Sequence, residues 1–180
     1  MLVRARNAIS ARLHQPTQAE TDHPALALPG ATFVTLTQHG ALRGCIGSLE
    51  AHRPLGDDVR ANAVAAAFSD PRFPPLTVAE FPHTRVEVSL LTTPVPMSFS
   101  DEADALRQLR PNVDGVILIA GRGGQLGRST FLPQVWEQLP EPRQFLAHLK
   151  QKAGLPADWW SSEVQLQRYE VKKWKEPTIK

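Results

Sequence analysis

Cysteine is almost missing from this chain: Cys45 stands alone among 180 residues. One thiol cannot close an internal disulfide. Nor can it supply the several sulfurs of a structural zinc site or an iron–sulfur cluster. A reducing cytoplasm is the setting this predicts. Long apolar runs are missing too. Runs such as Val116 to Ala120 are far short of the about 20 residues that span a bilayer. The start, Met1-Leu2-Val3-Arg4-Ala5-Arg6-Asn7, lacks the apolar stretch of a signal peptide. Charge of one sign is in no excess. The net charge of +2 argues against a nucleic-acid partner, which usually leaves Lys and Arg clustered on one face. The six histidines are scattered with no His-Glu-x-x-His spacing, so no metal is predicted. Repeats and low-complexity tracts are absent as well, and no motif names a cofactor.

What remains is an ordinary globular composition, 42% hydrophobic and 21% charged, with 16 prolines lying mostly between periodic segments. Leu2, Ala5, Ile9 and Leu13 share a helical stripe opposite Arg4, Arg6 and Arg12, which predicts a helix over residues 1–14. Pro16, Pro24, Pro29 and Gly30 make 15–30 an extended connector. The β-branched run Thr32 to Thr37, the turn signal His39-Gly40 and the segment from Leu42 predict a hairpin. Its second strand carries Arg43-Gly44-Cys45-Ile46-Gly47. Leu55, Val59, Ala63 and Ala67 repeat at helical spacing behind Pro54. A stiff loop, Asp70 to Leu76, follows. Thr77-Val78-Ala79-Glu80 has capping-box spacing and predicts a short helical turn. Arg85 to Leu90 alternates like a strand, with Glu87 on its polar face. Later come a helix from Ser100-Asp101-Glu102, a buried strand over 115–120 and β character at 130–132. A helix over 142–153 capped by Gly154, a strand through Val164, Leu166 and Tyr169, and a basic tail over 172–180 complete the chain. Without regular βαβ alternation, this order predicts an α/β fold of the α+β type, with a mainly antiparallel sheet flanked by helices.

Strand alternation puts Arg43, Cys45 and Gly47 on one face and Leu42, Gly44 and Ile46 on the other. Residues two apart on a strand are about 6.6 Å apart, so the Arg43 guanidinium could approach the Cys45 thiol and favour its thiolate. Glycine on either side leaves room for a ligand or a neighbouring segment. Against this, a free cysteine is commonly a small buried hydrophobe. A nucleophile also needs a base; His39, His52 or His148 could meet Cys45 in space, but nothing in their spacing says so. Glu87 and Glu50 could pair across a cleft, although ion pairing with Arg43, Arg72 or Arg85 is the commoner fate of such carboxylates. The glycine-rich stretch Gly121 to Arg128 lacks both the third glycine of a dinucleotide fingerprint and a Gly-Lys-Ser/Thr ending, so it reads as a hairpin loop. Trp136, Trp159, Trp160 and Trp174 read as cover for the core edge.

Three segments in order carry a more specific signal: Leu42-Arg43-Gly44-Cys45-Ile46-Gly47, Ala66-Ala67-Phe68-Ser69-Asp70-Pro71-Arg72-Phe73-Pro74-Pro75-Leu76, and Phe131-Leu132-Pro133-Gln134-Val135-Trp136-Glu137. Together they resemble the AMMECR-one domain family, whose bacterial members are called AmmeMemoRadiSam system protein A. The resemblance implies a single domain of two unequal lobes (31–171 after helix and connector), with the hairpin near a cleft. It implies that Arg43, Gly44, Cys45, Ile46, Gly47, Asp70, Arg72 and Phe73 line that cleft, to which the residue reading adds Glu87. It implies a Memo-type protein and a radical SAM enzyme as partners; lacking a three-cysteine motif, this chain is not itself the radical SAM component. The expected role is a binding or accessory component. The alternative is an enzyme with Cys45 as thiolate nucleophile assisted by Arg43. A weaker alternative is a nucleic-acid-binding module using the N-terminal arginines with Lys172, Lys173 and Lys175.

Overall fold

The computed structural model describes residues 1–177. In chain order the elements are α1 (Leu2–Arg12), β1 (Ala31–Gln38), β2 (Ala41–Gly47), α2 (Leu55–Phe68), β3 (Thr84–Leu91) and β4 (Val95–Pro96). There follow α3 (Glu102–Gln108), β5 (Gly115–Ala120), β6 (Gly127–Phe131), α4 (Pro142–Lys152), β7 (Gln165–Tyr169) and β8 (Val171–Lys175). The strands form two four-stranded sheets, ordered β2-β1-β3-β8 and β4-β7-β5-β6. The fold is therefore α+β with antiparallel pairing, as expected, but with two sheets where one was predicted. Contacts divide the chain into two compact units: residues 1–91 with the segment from Lys172, and residues 92–171.

In the first unit, β1 is the central strand, antiparallel to β2 and to β3. The hairpin turns on His39 (φ 49°) and Gly40 (φ 81°). Two consecutive positive φ values make the two-residue turn whose twist suits an antiparallel pair. One sheet face presents Val34, Leu36, Val86 and Val88 to Ala5 and Ile9 of α1 and to Val59, Ala63, Ala66 and Ala67 of α2, all buried. The apolar spacing seen in each segment is thus one core. Asp58 in the first turn of α2 is fully buried. It accepts from the Thr32 N–H and hydroxyl, the Ser48 hydroxyl, Arg53 Nε and Asn62 Nδ2, which ties the hairpin's open end to the helix. The Lys-rich end differs from expectation. It is not a tail but β8, beside β3, and the Glu176 N–H beyond it donates to the Val86 carbonyl. Residues 178–180 of the predicted tail lie outside the described residues.

The second unit is built on β5, whose Val116, Leu118 and Ala120 are fully buried. Trp136 stacks on Phe145 at 3.7 Å and 7°, and its Nε1–H donates to the Asp114 carbonyl at 2.7 Å. Lys150 is buried and donates to Glu102 at 2.5 Å. The Tyr169 ring covers Gly115, and burial pushes its phenol up to about 12. The Gly121–Arg128 segment is the β5–β6 hairpin loop, with a short 3₁₀ turn at Arg122–Gly124.

Candidate functional site

β2 is an edge strand, and its geometry is set by one irregularity. Leu36 pairs with Gly44 but Thr37 pairs with Leu42, so Arg43 is an extra residue in a β-bulge. Strict alternation fails there, and Arg43 leaves the row it was predicted to share with Cys45. Its side chain is 8% exposed and forms a two-pronged pair with Glu80, Nε to Oε1 at 2.9 Å and Nη2 to Oε2 at 3.2 Å. Glu80 is fixed by the predicted capping box. Its carboxylate accepts from the Thr77 N–H and hydroxyl, while its own N–H donates to Thr77 Oγ1. Arg43 above all, and then the Thr77 N–H, hold the Glu80 carboxyl down at about 2. Arg43 Nη1 is buried with no hydrogen-bond partner. An orphaned buried donor of this kind costs about 1–3 kcal/mol.

Cys45 lies opposite Thr35. The Ser48 N–H donates to Thr32 across the pair, so by antiparallel alternation the N–H and C=O of Cys45 point to the free edge. Both are met there by side chains. Cys45 N–H donates to Asp70 Oδ2 at 2.9 Å, and Arg72 Nη2 donates to the Cys45 carbonyl at 3.3 Å. Asp70 and Arg72 are themselves paired, Nη2 to Oδ2 at 2.7 Å and Nε to Oδ1 at 3.0 Å. This partner and the Cys45 N–H hold the Asp70 carboxyl well below the usual carboxylate range, and Asp70 raises Arg72 in return. A carboxylate and a guanidinium thus fill the places that a neighbouring strand would fill. Cys45 is half-buried, and its sulfur lies 3.3 Å from the Thr35 hydroxyl.

Phe73 joins the two arginines. Its ring centroid is 5.9 Å from the Arg43 guanidinium carbon and 5.6 Å from that of Arg72. Gly44 and Gly47 do not open space for a ligand; each admits a close neighbour. A Cβ on Gly44 would lie 2.1 Å from the Ala66 carbonyl oxygen, and one on Gly47 would meet the Phe33 ring at 2.2 Å. Ile46 packs on the core.

The structure therefore brings together Arg43, Gly44, Cys45, Ile46, Gly47, Asp70, Arg72 and Phe73. It corrects the pairing within them: the bulge turns Arg43 to Glu80, and the guanidinium that reaches Cys45 is that of Arg72, at the backbone carbonyl. Glu87 shares the sheet face of Thr35 and Cys45, one strand beyond Thr35, and is paired with Lys173 at 3.8 Å and Lys175 at 2.9 Å. These pairs, with Arg4–Glu20 and Arg6–Glu176, spend within the chain much of the charge assigned to nucleic-acid binding. His39 stacks near His83 at the hairpin tip, and His52 Nδ1 bonds to the Glu50 carbonyl. Thr35 and Glu80 were missed as site residues; for Glu80 the capping-box spacing was the available signal. Among the described residues no group of three or more His, Cys, Asp or Glu is placed to hold a metal ion, and no helix is long and apolar enough to cross a membrane.

Comparison with known proteins places these residues in a family. The family model described as AMMECR1 matches residues 2–174. A protein of Methanothermobacter thermautotrophicus is 40% identical over 141 residues, covering 77% of this chain and 71% of that protein. One from Sulfolobus acidocaldarius is 39% identical over 159 residues, covering 86% and 67%. The crystal structure of an uncharacterised protein from Pyrococcus horikoshii superimposes with a TM-score of 0.78 at 30% identity, covering 97% of this chain and 88% of that one.

Proposed function

The chain belongs to the AMMECR1 family, and from that premise we propose that it is a binding or accessory component, not an enzyme in its own right. Its working surface is the outer edge of β2 around Cys45, completed by Asp70 and Arg72, and it works in the cytoplasm beside a Memo-type protein and a radical SAM enzyme. The observation that carries this reading is the double clamp on the Cys45 backbone. Two sequence motifs 25 residues apart spend their charged side chains on building one surface rather than on activating a thiol. The thiol's partner is a threonine hydroxyl, which is not a base that could take its proton at neutral pH.

Recovery of either partner with the tagged full chain, and its loss with Arg72→Ala, is the expected result. Repeated failure to recover both, from cells that express both, would overturn the partner assignment.

One observation favours a second reading. Arg72, exposed over 55% of its side chain, places a cation on the backbone carbonyl of Cys45, beside a half-buried thiol. If Cys45 is a nucleophile, the folded chain should be alkylated readily at neutral pH and more slowly in Arg72→Ala. Reaction only after unfolding removes this alternative.

A further inference from the structure

Arg43 presents a feature that the clamp on β2 does not use. The residue is 7% exposed, its Nε and Nη2 are engaged by Glu80, and Nη1 is buried with no acceptor. Buried donors in folded proteins are nearly always paired, so an idle one calls for an explanation. The Phe73 ring centroid lies 5.9 Å from the Arg43 guanidinium carbon, and the same ring lies 5.6 Å from that of Arg72. Arg72 commits Nε and Nη2 to Asp70 and Cys45, which leaves its own Nη1 without a partner among the described residues. One half-buried aromatic ring thus lies beside two guanidinium groups, that of Arg43 with a buried unpartnered amino group and that of Arg72 more than half exposed. An aromatic face satisfies such donors only weakly.

We infer that Phe73 is a plug over a carboxylate site: when its ring swings out, the free amino groups of Arg43 and Arg72 bind the carboxylate of a ligand in its place. This rests on reading the β2 edge as a ligand surface and names the chemistry that the surface takes. A carboxylate is favoured over a phosphate by charge. Each arginine already carries a carboxylate partner, Glu80 or Asp70, so the site is neutral overall. It can accept one negative charge more readily than two.

The test is titration of the full chain with sodium acetate against sodium chloride of equal ionic strength. It is followed through the arginine Nε–H signals and the Gly44 to Gly47 amides in ¹H–¹⁵N spectra. Saturable shifts in the millimolar range are expected, and they should disappear in Arg72→Gln. Phe73→Ala should tighten binding by about tenfold, the gain if the ring is open about a tenth of the time in the native chain. Arg43→Lys is avoided as a sole test because it endangers folding. Shifts that stay linear in acetate, an unchanged midpoint in Phe73→Ala, or tighter binding of inorganic phosphate than of acetate would each overturn the proposal. Partner recovery with no acetate binding removes only the carboxylate site. Acetate binding with no partner recovery removes only the partner assignment.

Discussion

Gly44 is small because of α2, not because of a ligand. Its missing Cβ would stand 2.1 Å from the Ala66 carbonyl oxygen, a backbone atom that cannot rotate away. At Gly47 the obstacle is the Phe33 ring at 2.2 Å, a side chain that can. Gly44→Ala should therefore destabilise by about 3 kcal/mol, the upper end of overpacking costs, and Gly47→Ala by only about 1 kcal/mol. Urea midpoints of the two variants give the order. If Gly47→Ala proved the more costly, close approach of β2 to α2 would not be what fixes Gly44. Glu80 makes a second prediction at this scale. Its folded pKa is depressed to about 2, chiefly by Arg43. The stability it contributes is then complete above the ordinary value of 4.5 and drains away as pH falls from there toward about 2. Glu80→Gln should flatten the acid limb of a stability–pH curve within that window, and an unaltered limb would mean the Arg43 pair adds nothing to folding.

At the scale of the element, β2 is an edge strand guarded in two ways, by a bulge at Arg43 and by side chains at Cys45. Edges left open invite other chains to add a strand. Asp70→Ala removes the acceptor of the Cys45 N–H. A hydrogen bond to a charged group contributes about 1.5–3 kcal/mol, so that amide should exchange with solvent about ten- to a hundredfold faster. The Ile46 amide, directed at β1, should change little. Equal acceleration of both would signal general loosening of the strand rather than a lost clamp. The hairpin and its turn were legible because β-branched residues and His39-Gly40 act locally. The helix behind Pro54 and the capping box at Thr77–Glu80 were legible for the same reason. The bulge was not, because nothing in Leu42-Arg43-Gly44 announces it; the register is settled by Gly44 seating on Ala66 and Arg43 reaching Glu80, 37 residues away. Nor was β8, since a run of Val-Lys-Lys-Trp-Lys reads as a solvated tail until Glu87 is seen holding Lys173 and Lys175.

At the scale of the whole molecule, the two units differ in how they use the chain. The first is discontinuous: its sheet takes β8 from the far end, and Glu176 accepts from Arg6 and from the Val86 N–H, joining both ends of the sequence. The second occupies one continuous stretch, 92–171, inserted between β3 and β8. The ends of that stretch meet. The Thr92 N–H donates to the Glu170 carbonyl at 2.8 Å, and the Glu170 N–H donates to Thr92 Oγ1 at 2.8 Å. A segment with adjacent ends and its own core, here Val116, Leu118, Trp136, Phe145, Leu146 and Leu166, meets the requirements for folding alone. Residues 92–171 expressed by themselves should therefore melt cooperatively, with the emission of Trp136, Trp159 and Trp160 together shifting to the red as the core opens to water. The segment 1–91, which lacks β8 and Glu176, should not match it, because the Arg6 pair and one neighbour of β3 are gone. A cooperative melt for 1–91 and none for 92–171 would mean that the inserted unit depends on its host, and the separate cores would then not be separate folding units.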